Sequence, residues 1–161
     1  MINSLKSLGI YDRKTYDNSG LPNIDSDLLP HLIRGYFDGD GTFYLGLQKP
    51  NVGRRVNYSL KYSFYIVSYT KKVLEDIKDF FQEHNIKTKI ETNIRHEKTT
   101  YRLVSYSKKE CIKIYNLLYS NSNLYLYRKY NKFTLGASSD KDELIKILLT
   151  LNKECNDPEG N

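Results

Sequence analysis

Tryptophan is absent from this 161-residue chain, cysteine occurs twice, methionine once and proline four times. Cys111 and Cys155 stand alone, with neither a CxxC pair nor Cys/His spacing, which argues against a structural zinc and against a disulfide framework. Both are expected to be reduced and structural. Long apolar runs are also missing: nothing approaches the ~20 residues of a membrane-spanning helix, and no secretory leader pattern is visible. A soluble intracellular protein is expected, in a host cytoplasm or an organelle, and the wealth of Tyr, Asn, Lys and Ile resembles coding by an AT-rich phage or mitochondrial genome. His31, His84 and His96 have no partners at ligand spacing, and neither a Ser/His/Asp nor a Cys/His nucleophile pattern finds support. Acids are outnumbered, 19 to 25, leaving a net charge of +6. That balance points to a polyanionic partner, and the length suits a single domain with an adequate core.

What is present is concentrated in Ile33-Arg34-Gly35-Tyr36-Phe37-Asp38-Gly39-Asp40-Gly41. Upstream, Leu28, Leu29, Leu32, Ile33, Tyr36 and Phe37 recur at helical spacing. Asp25, Ser26 and Asp27 supply an N-cap and first-turn acids, and Pro30 falls early enough to be tolerated. The helix therefore ends in two carboxylates interleaved with glycines. A helix C-terminus carries about half a negative charge, so an Asp there costs roughly 0.3 to 1 kcal/mol unless a cation compensates. A bound cation is the first expectation. Gly35 inside the helix is about 1 kcal/mol worse than alanine, a cost that is offset only where another backbone comes close. With Gly39 it shares a face on which a second helix can pack.

Beyond this helix, Thr42 to Lys49 alternates as a strand, Pro50-Asn51-Val52-Gly53 reads as a loop and Arg54 to Ser68 alternates again, giving a hairpin. Thr70 to His84 has a helical pattern, with Val73, Leu74, Ile77, Phe80 and Phe81 on one side. Strands follow at Lys87 to Arg95 and Thr99 to Tyr106 around a turn at His96-Glu97-Lys98, then a helix from Lys108 to Tyr119 with Cys111, Ile112, Tyr115 and Leu118 inward. Leu124 to Phe133 is rich in Tyr and Lys, and Asp140 to Cys155 opens with an Asp140/Glu143 capping pair before Leu144, Ile147, Leu148 and Leu151. The expected class is α+β, with an αββαββα order and extra C-terminal helices. Residues 1–24 read as an arm or linker-like segment, 25–121 as the core and 122–161 as a C-terminal helical segment with a frayed tail.

Ile33 to Gly41 resembles the signature nonapeptide of the LAGLIDADG homing endonucleases. Gly35, Asp38, Asp40 and Gly41 are identities, Gly39 is a common small variant, and Ile33, Tyr36 and Phe37 keep the apolar positions. Arg34 stands where the family has a small residue. Leu28-Leu29-Pro30-His31-Leu32 and Thr42-Phe43-Tyr44 also fit, and αββαββα with an antiparallel sheet saddle is the family's core. The resemblance implies intron or intein mobility, and Mg²⁺-dependent cleavage of double-stranded DNA across the minor groove that leaves 3′ overhangs. It makes Asp40 the metal-binding acid and the Gly39 carbonyl a second ligand. It also puts Lys108 and Lys109 in the region of the auxiliary lysine, and Ser68, Lys71 and Lys72 where a second polar helper lies. Met1 to Leu21 resemble the stretch joining the halves of two-motif relatives, so the chain is either half of a larger protein or carries a short arm on its core.

Strand alternation separates two faces. Val56, Tyr58, Leu60, Tyr62, Phe64 and Ile66 form one, while Arg55, Asn57, Ser59, Lys61, Ser63 and Tyr65 form the other. Thr42, Tyr44 and Gln48, flanked by Lys49 and Arg54, oppose Phe43, Leu45 and Leu47; Lys87, Lys89, Glu91, Asn93 and Arg95 oppose Ile90 and Ile94. Lys98, Thr100 and Arg102 extend the polar surface. An antiparallel sheet often has a solvated face, but the excess of cations favours phosphates and base edges. Most strand tyrosines are expected on the core side, which disfavours stacking on single strands.

One motif in a chain of this size predicts a homodimer on a pseudo-palindromic site. The motif helices would pack through Gly35 and Gly39, with Asp38 bracing the turn or interface and two Asp40 carboxylates brought together around divalent metal. Two other functions remain open at this point: a maturase-like protein that binds its own intron RNA, and a non-cleaving DNA-binding regulator.

Overall fold

The computed structural model describes residues 20–48, 58–95, 98–138 and 140–154. A 3₁₀ turn, Ser26–Leu28, leads into α1 (Leu29–Asp40). There follow β1 (Gly41–Gln48), β2 (Ser59–Ser68), α2 (Lys71–Glu83), β3 (Lys89–Arg95), β4 (Lys98–Ser105) and α3 (Lys108–Tyr119). Two further helices, α4 (Tyr127–Ser138) and α5 (Lys141–Glu154), complete the order. The αββαββα succession expected from periodicity is present, and the Tyr- and Lys-rich segment becomes the helix α4. The start of the second strand at Arg54, Cys155 and the C-terminal tail lie outside the described residues.

The strands form one antiparallel sheet in the order β1-β2-β4-β3. Phe43 pairs with Phe64, and Ile66 and Leu103, which also pair, continue the apolar face into β4. Against this face α2 lays Leu74, Ile77 and Phe81, all fully buried, because its apolar residues recur on one stripe. The chain leaves α2 through Asn85 at φ 56°, with Asn85 N–H donating to Gln82 O at 3.0 Å and Ile86 N–H to Phe81 O at 2.8 Å. This Schellman stop satisfies the last carbonyls and returns Ile86 to the core.

Aromatic residues knit the helices to the sheet. Phe133 of α4 stacks on Phe43 at 3.9 Å and Phe37 of α1 stacks on Phe64 at 4.8 Å. Leu144 of α5 is fully buried, and Asp140 caps that helix by accepting the Asp142 N–H at 3.1 Å. At the other end of the described chain, Leu21 N–H donates to Asp76 Oδ2 on α2 at 2.8 Å, so this part of the arm lies on the core.

Two apolar assignments shift. On α3 it is Ile114 that is fully buried beside Cys111 and Leu118, while Ile112 and Tyr115 are half-buried. The helix turns the 111/114/118 stripe inward, and the Tyr115 hydroxyl reaches Thr134 Oγ1 at 3.0 Å. Ile94, which alternation puts on the core side of β3 with Ile90, is 70% exposed.

Candidate functional site

The site begins where α1 meets β1. Pro30 opens the helix, and Gly41 ends it in an extended conformation while its N–H still donates to Phe37 O. Only glycine fits at 41, since a Cβ there would strike the Phe37 ring and lie 2.6 Å from the Phe37 carbonyl. The last turn of α1 holds no basic residue. Compensation for the negative helix end comes instead from α4: Lys129 Nζ donates to the carbonyls of Phe37 at 2.6 Å, Asp38 at 2.8 Å and Gly41 at 2.6 Å. The same ammonium lies 4.9 Å over the Phe37 ring. Burial holds the Lys129 pKa below its ordinary value.

Sequence reasoning assigned this compensation to a bound cation and missed Lys129. The only local signal was the Arg128-Lys129 pair inside a tyrosine-rich segment. Its partners are about 90 positions upstream, beyond the reach of any helical or strand period.

The two motif acids are treated differently. Asp38 accepts the Tyr119 hydroxyl at 2.6 Å and the Leu126 N–H at 2.9 Å, tying α1 to the end of α3 and to the segment that enters α4. Burial raises the Tyr119 pKa, and the Asp38 carboxylate raises it further, so the phenol stays a donor. Asp40 is exposed and has no hydrogen bond among the described residues. Gly35 and Gly39 are exposed as well, and a Cβ at either would meet nothing within 4 Å. With Leu28, 53% exposed, they leave one side of α1 bare. Arg34 is turned away from that side and is 7% exposed. It bonds His31 Nδ1 at 2.8 Å and donates to Leu118 O at 3.1 Å, capping the C-terminus of α3.

Ser68 comes close to this end of α1. Its hydroxyl receives the Tyr36 O–H at 3.3 Å and the Thr70 N–H at 3.1 Å, marking the entry to α2. Lys71, next on α2, pairs with Glu75 at 2.9 Å, and Lys72 with Asp76 at 2.7 Å. Lys108 lies elsewhere, its Nζ 5.5 Å over the Tyr62 ring. Tyr62 faces Leu45, four strand positions along from the Gly41–Ile66 pair at the acid turn. Lys109 is exposed on the first turn of α3 beside Lys108. The fold does not bring this pair to Asp40.

Away from the helices the sheet presents its second face. Register sets Thr42 against Tyr65, Tyr44 against Ser63 and Gln48 against Ser59. On the other edge Glu91 faces Arg102, Asn93 faces Thr100 and Arg95 faces Lys98. Lys61 faces Gly46 in the same layer. Lys87 is exposed just before β3, and its N–H donates to Glu110 Oε2 at 2.7 Å. Ser63 shares the face but is only 6% exposed, sunk beside the larger Tyr44. Tyr44 and Tyr65 stand on this side, where alternation placed them, and Tyr106 joins them. Lys49, Arg54, Arg55 and Asn57 lie outside the described residues.

Comparisons with known proteins agree with this geometry. A family model described as a LAGLIDADG-like domain matches residues 28–130, a stretch that includes both the motif helix and Lys129. Among solved structures, the archaeal intron-encoded homing endonuclease I-Vdi141I, complexed with DNA, superposes with a TM-score of 0.59 at 21% identity, over 85% of this chain and 89% of that one. The group I intron-encoded homing endonuclease I-CeuI, also complexed with DNA, gives 0.56 at 11% identity over 98% and 73%. The homing endonuclease I-CvuI, bound to its target in the presence of calcium, gives 0.55 at 14% identity over 83% and 84%. No curated protein matches the chain in sequence. No helix among the described residues is long and apolar enough to cross a membrane. With its motif helix, αββαββα order and four-stranded antiparallel sheet, the chain belongs to the LAGLIDADG-like family and has the fold of the LAGLIDADG homing endonucleases.

Proposed function

We propose that the chain is a site-specific endonuclease of double-stranded DNA that acts as a homodimer and uses Mg²⁺. One observation carries this reading. Of the two acids in the motif, Asp38 is fully engaged, whereas Asp40 is exposed, with no hydrogen bond or close ion pair among the described residues and only the longer-range charge of Lys129 acting on it, at the end of a helix side left bare at Gly35 and Gly39.

Two copies packed along that bare side would set two Asp40 carboxylates close together. The donor set suits a hard divalent cation, since the Asp40 carboxylate is free and Lys129 takes the carbonyls of Phe37, Asp38 and Gly41 but not that of Gly39. No group of three His, Cys, Asp or Glu among the described residues is placed to hold a metal, so a second copy and substrate phosphate oxygens would complete the shell. When bound, Mg²⁺ supplies Lewis acidity for attack of water on the phosphodiester and for the leaving oxygen.

The chain's own residues do the rest. Asp40 and the Gly39 carbonyl would hold the cation, while Lys129 and Asp38 hold the acid turn rigid. The open sheet face lies along the duplex, where Lys61, Lys89, Arg95, Lys98 and Arg102 supply positive charge and Thr42, Gln48, Ser59, Asn93 and Thr100 supply hydrogen-bonding groups. Ser68 positions the start of α2, and Lys71, Lys108 and Lys109 serve phosphates rather than reacting atoms. The DNA complexes of I-Vdi141I and I-CeuI, and the calcium-containing complex of I-CvuI, support this assignment of partner and cation class.

The test is a cleavage assay with Mg²⁺ on duplexes carrying randomised sites, run with wild type and Asp40→Asn beside sedimentation of both. Wild type is expected to sediment as a dimer and cut both strands, and the variant to bind without cutting. Equal DNA binding with no nicking by either protein would overturn the nuclease reading.

A further inference from the structure

At the centre of the open sheet face Lys89 and Glu91 are directly paired, while Arg102 acts on Glu91 only through its charge at longer range. Glu91 accepts Lys89 Nζ at 2.6 Å and the Tyr106 hydroxyl at 3.1 Å, and Lys89 lies 5.1 Å over the Tyr106 ring. Arg102, the register partner of Glu91, makes no ion pair and no hydrogen bond through its side chain among the described residues. Its guanidinium instead lies over the Tyr65 ring, 4.4 Å from the centroid. Val104, 1% exposed, pairs with both Tyr65 and Lys89 and closes the floor beneath.

Stacking on Tyr65 restricts the guanidinium plane and leaves its N–H edge unspent, which lowers the ordering cost of a bidentate contact. Arg102 stands on β4, an interior strand of the sheet, where the face meets the floor of a groove rather than the flanking backbones. Guanine presents two acceptors, O6 and N7, to a planar fork. We infer that Arg102 reads a guanine in the major groove of the target, with Tyr65 setting the guanidinium plane. This rests on the reading of the chain as a site-specific DNA-binding nuclease.

The experiment selects bound duplexes from a randomised library with the full-length protein as wild type, Arg102→Lys and Tyr65→Leu, followed by affinity measurements over a range of salt. Wild type is expected to select a motif with a guanine preferred roughly tenfold at one position per half-site. Arg102→Lys keeps the charge, so the salt slope should hold, while affinity for the guanine-bearing site falls roughly fivefold and preference at that one position falls to within about twofold. Tyr65→Leu should blur the same position, and serves as the second variant should the first fail to fold. An unchanged motif in both variants, or a loss spread evenly over all positions, overturns the assignment to Arg102 and leaves the nuclease reading standing. Failure of wild type to select any motif overturns the reading beneath it.

Discussion

Lys129 on α4 donates to the Phe37 carbonyl of the motif helix at 2.6 Å across 92 positions of sequence. With the Asp38 and Gly41 carbonyls it fills all three donor positions of the ammonium, and the helix end that carries two acids is neutralised from within the protein.

Replacing Lys129 with Met should therefore leave three carbonyls without their cation. A loss of about 2 to 4 kcal/mol is expected, measured as a lower urea midpoint at unchanged slope. Lys129→Arg should restore little, because a planar fork does not converge on three carbonyls as an ammonium does. A Met variant with the stability of wild type would refute the capping role.

The two motif acids should separate in opposite experiments. Asp38→Ala removes the acceptor for Tyr119 and Leu126 and is expected to cost about 1 to 3 kcal/mol. Asp40→Asn breaks no contact and should keep stability within about 0.5 kcal/mol while abolishing cleavage. Calorimetry beside the cleavage assay reads both, and a large stability loss at Asp40 would contradict its open position.

Gly35 gives a third contrast. A Cβ there meets nothing within 4 Å, so Gly35→Ala should stabilise the isolated chain by about 0.5 to 1 kcal/mol through helix propensity. The same methyl would stand between two closely packed motif helices and weaken association. Sedimentation across a dilution series and denaturation at the dilute end test the two effects. A variant that dimerises as tightly as wild type would place the interface elsewhere.

Acid should loosen the sheet face through Glu91. The Lys89 ammonium bonded to it holds its pKa below the ordinary 4.5, with the Tyr106 hydroxyl adding to the effect. The unfolded chain then binds the proton more readily than the folded one. The contribution of Glu91 is whole above the unfolded value and is lost as pH falls through the folded one. Melting temperatures of wild type should fall more steeply below about pH 4.5 than those of Glu91→Gln; parallel curves would remove the linkage.

Much of this protein was legible along the chain. Apolar spacing marks α1, α2 and the strand faces, because helix and strand periods are local and need no knowledge of partners. The unpartnered state of the bare helix side is latent in Gly35 and Gly39, since small residues at that spacing mark a close approach. Periodicity misjudged α3, where Ile112, Ile114 and Tyr115 are all apolar and only the neighbouring elements choose which one faces inward.

What the linear order of residues determined by itself is the element succession, the acidic turn and the basic sheet face, each written in near-neighbour patterns. Tertiary structure alone decided that Tyr119 and Leu126 are the groups that hold Asp38, that Arg34 caps α3, and that Lys129 neutralises the motif helix. Those choices depend on hydrogen bonds between segments some 80 to 90 residues apart, and such bonds leave no periodic trace in either partner.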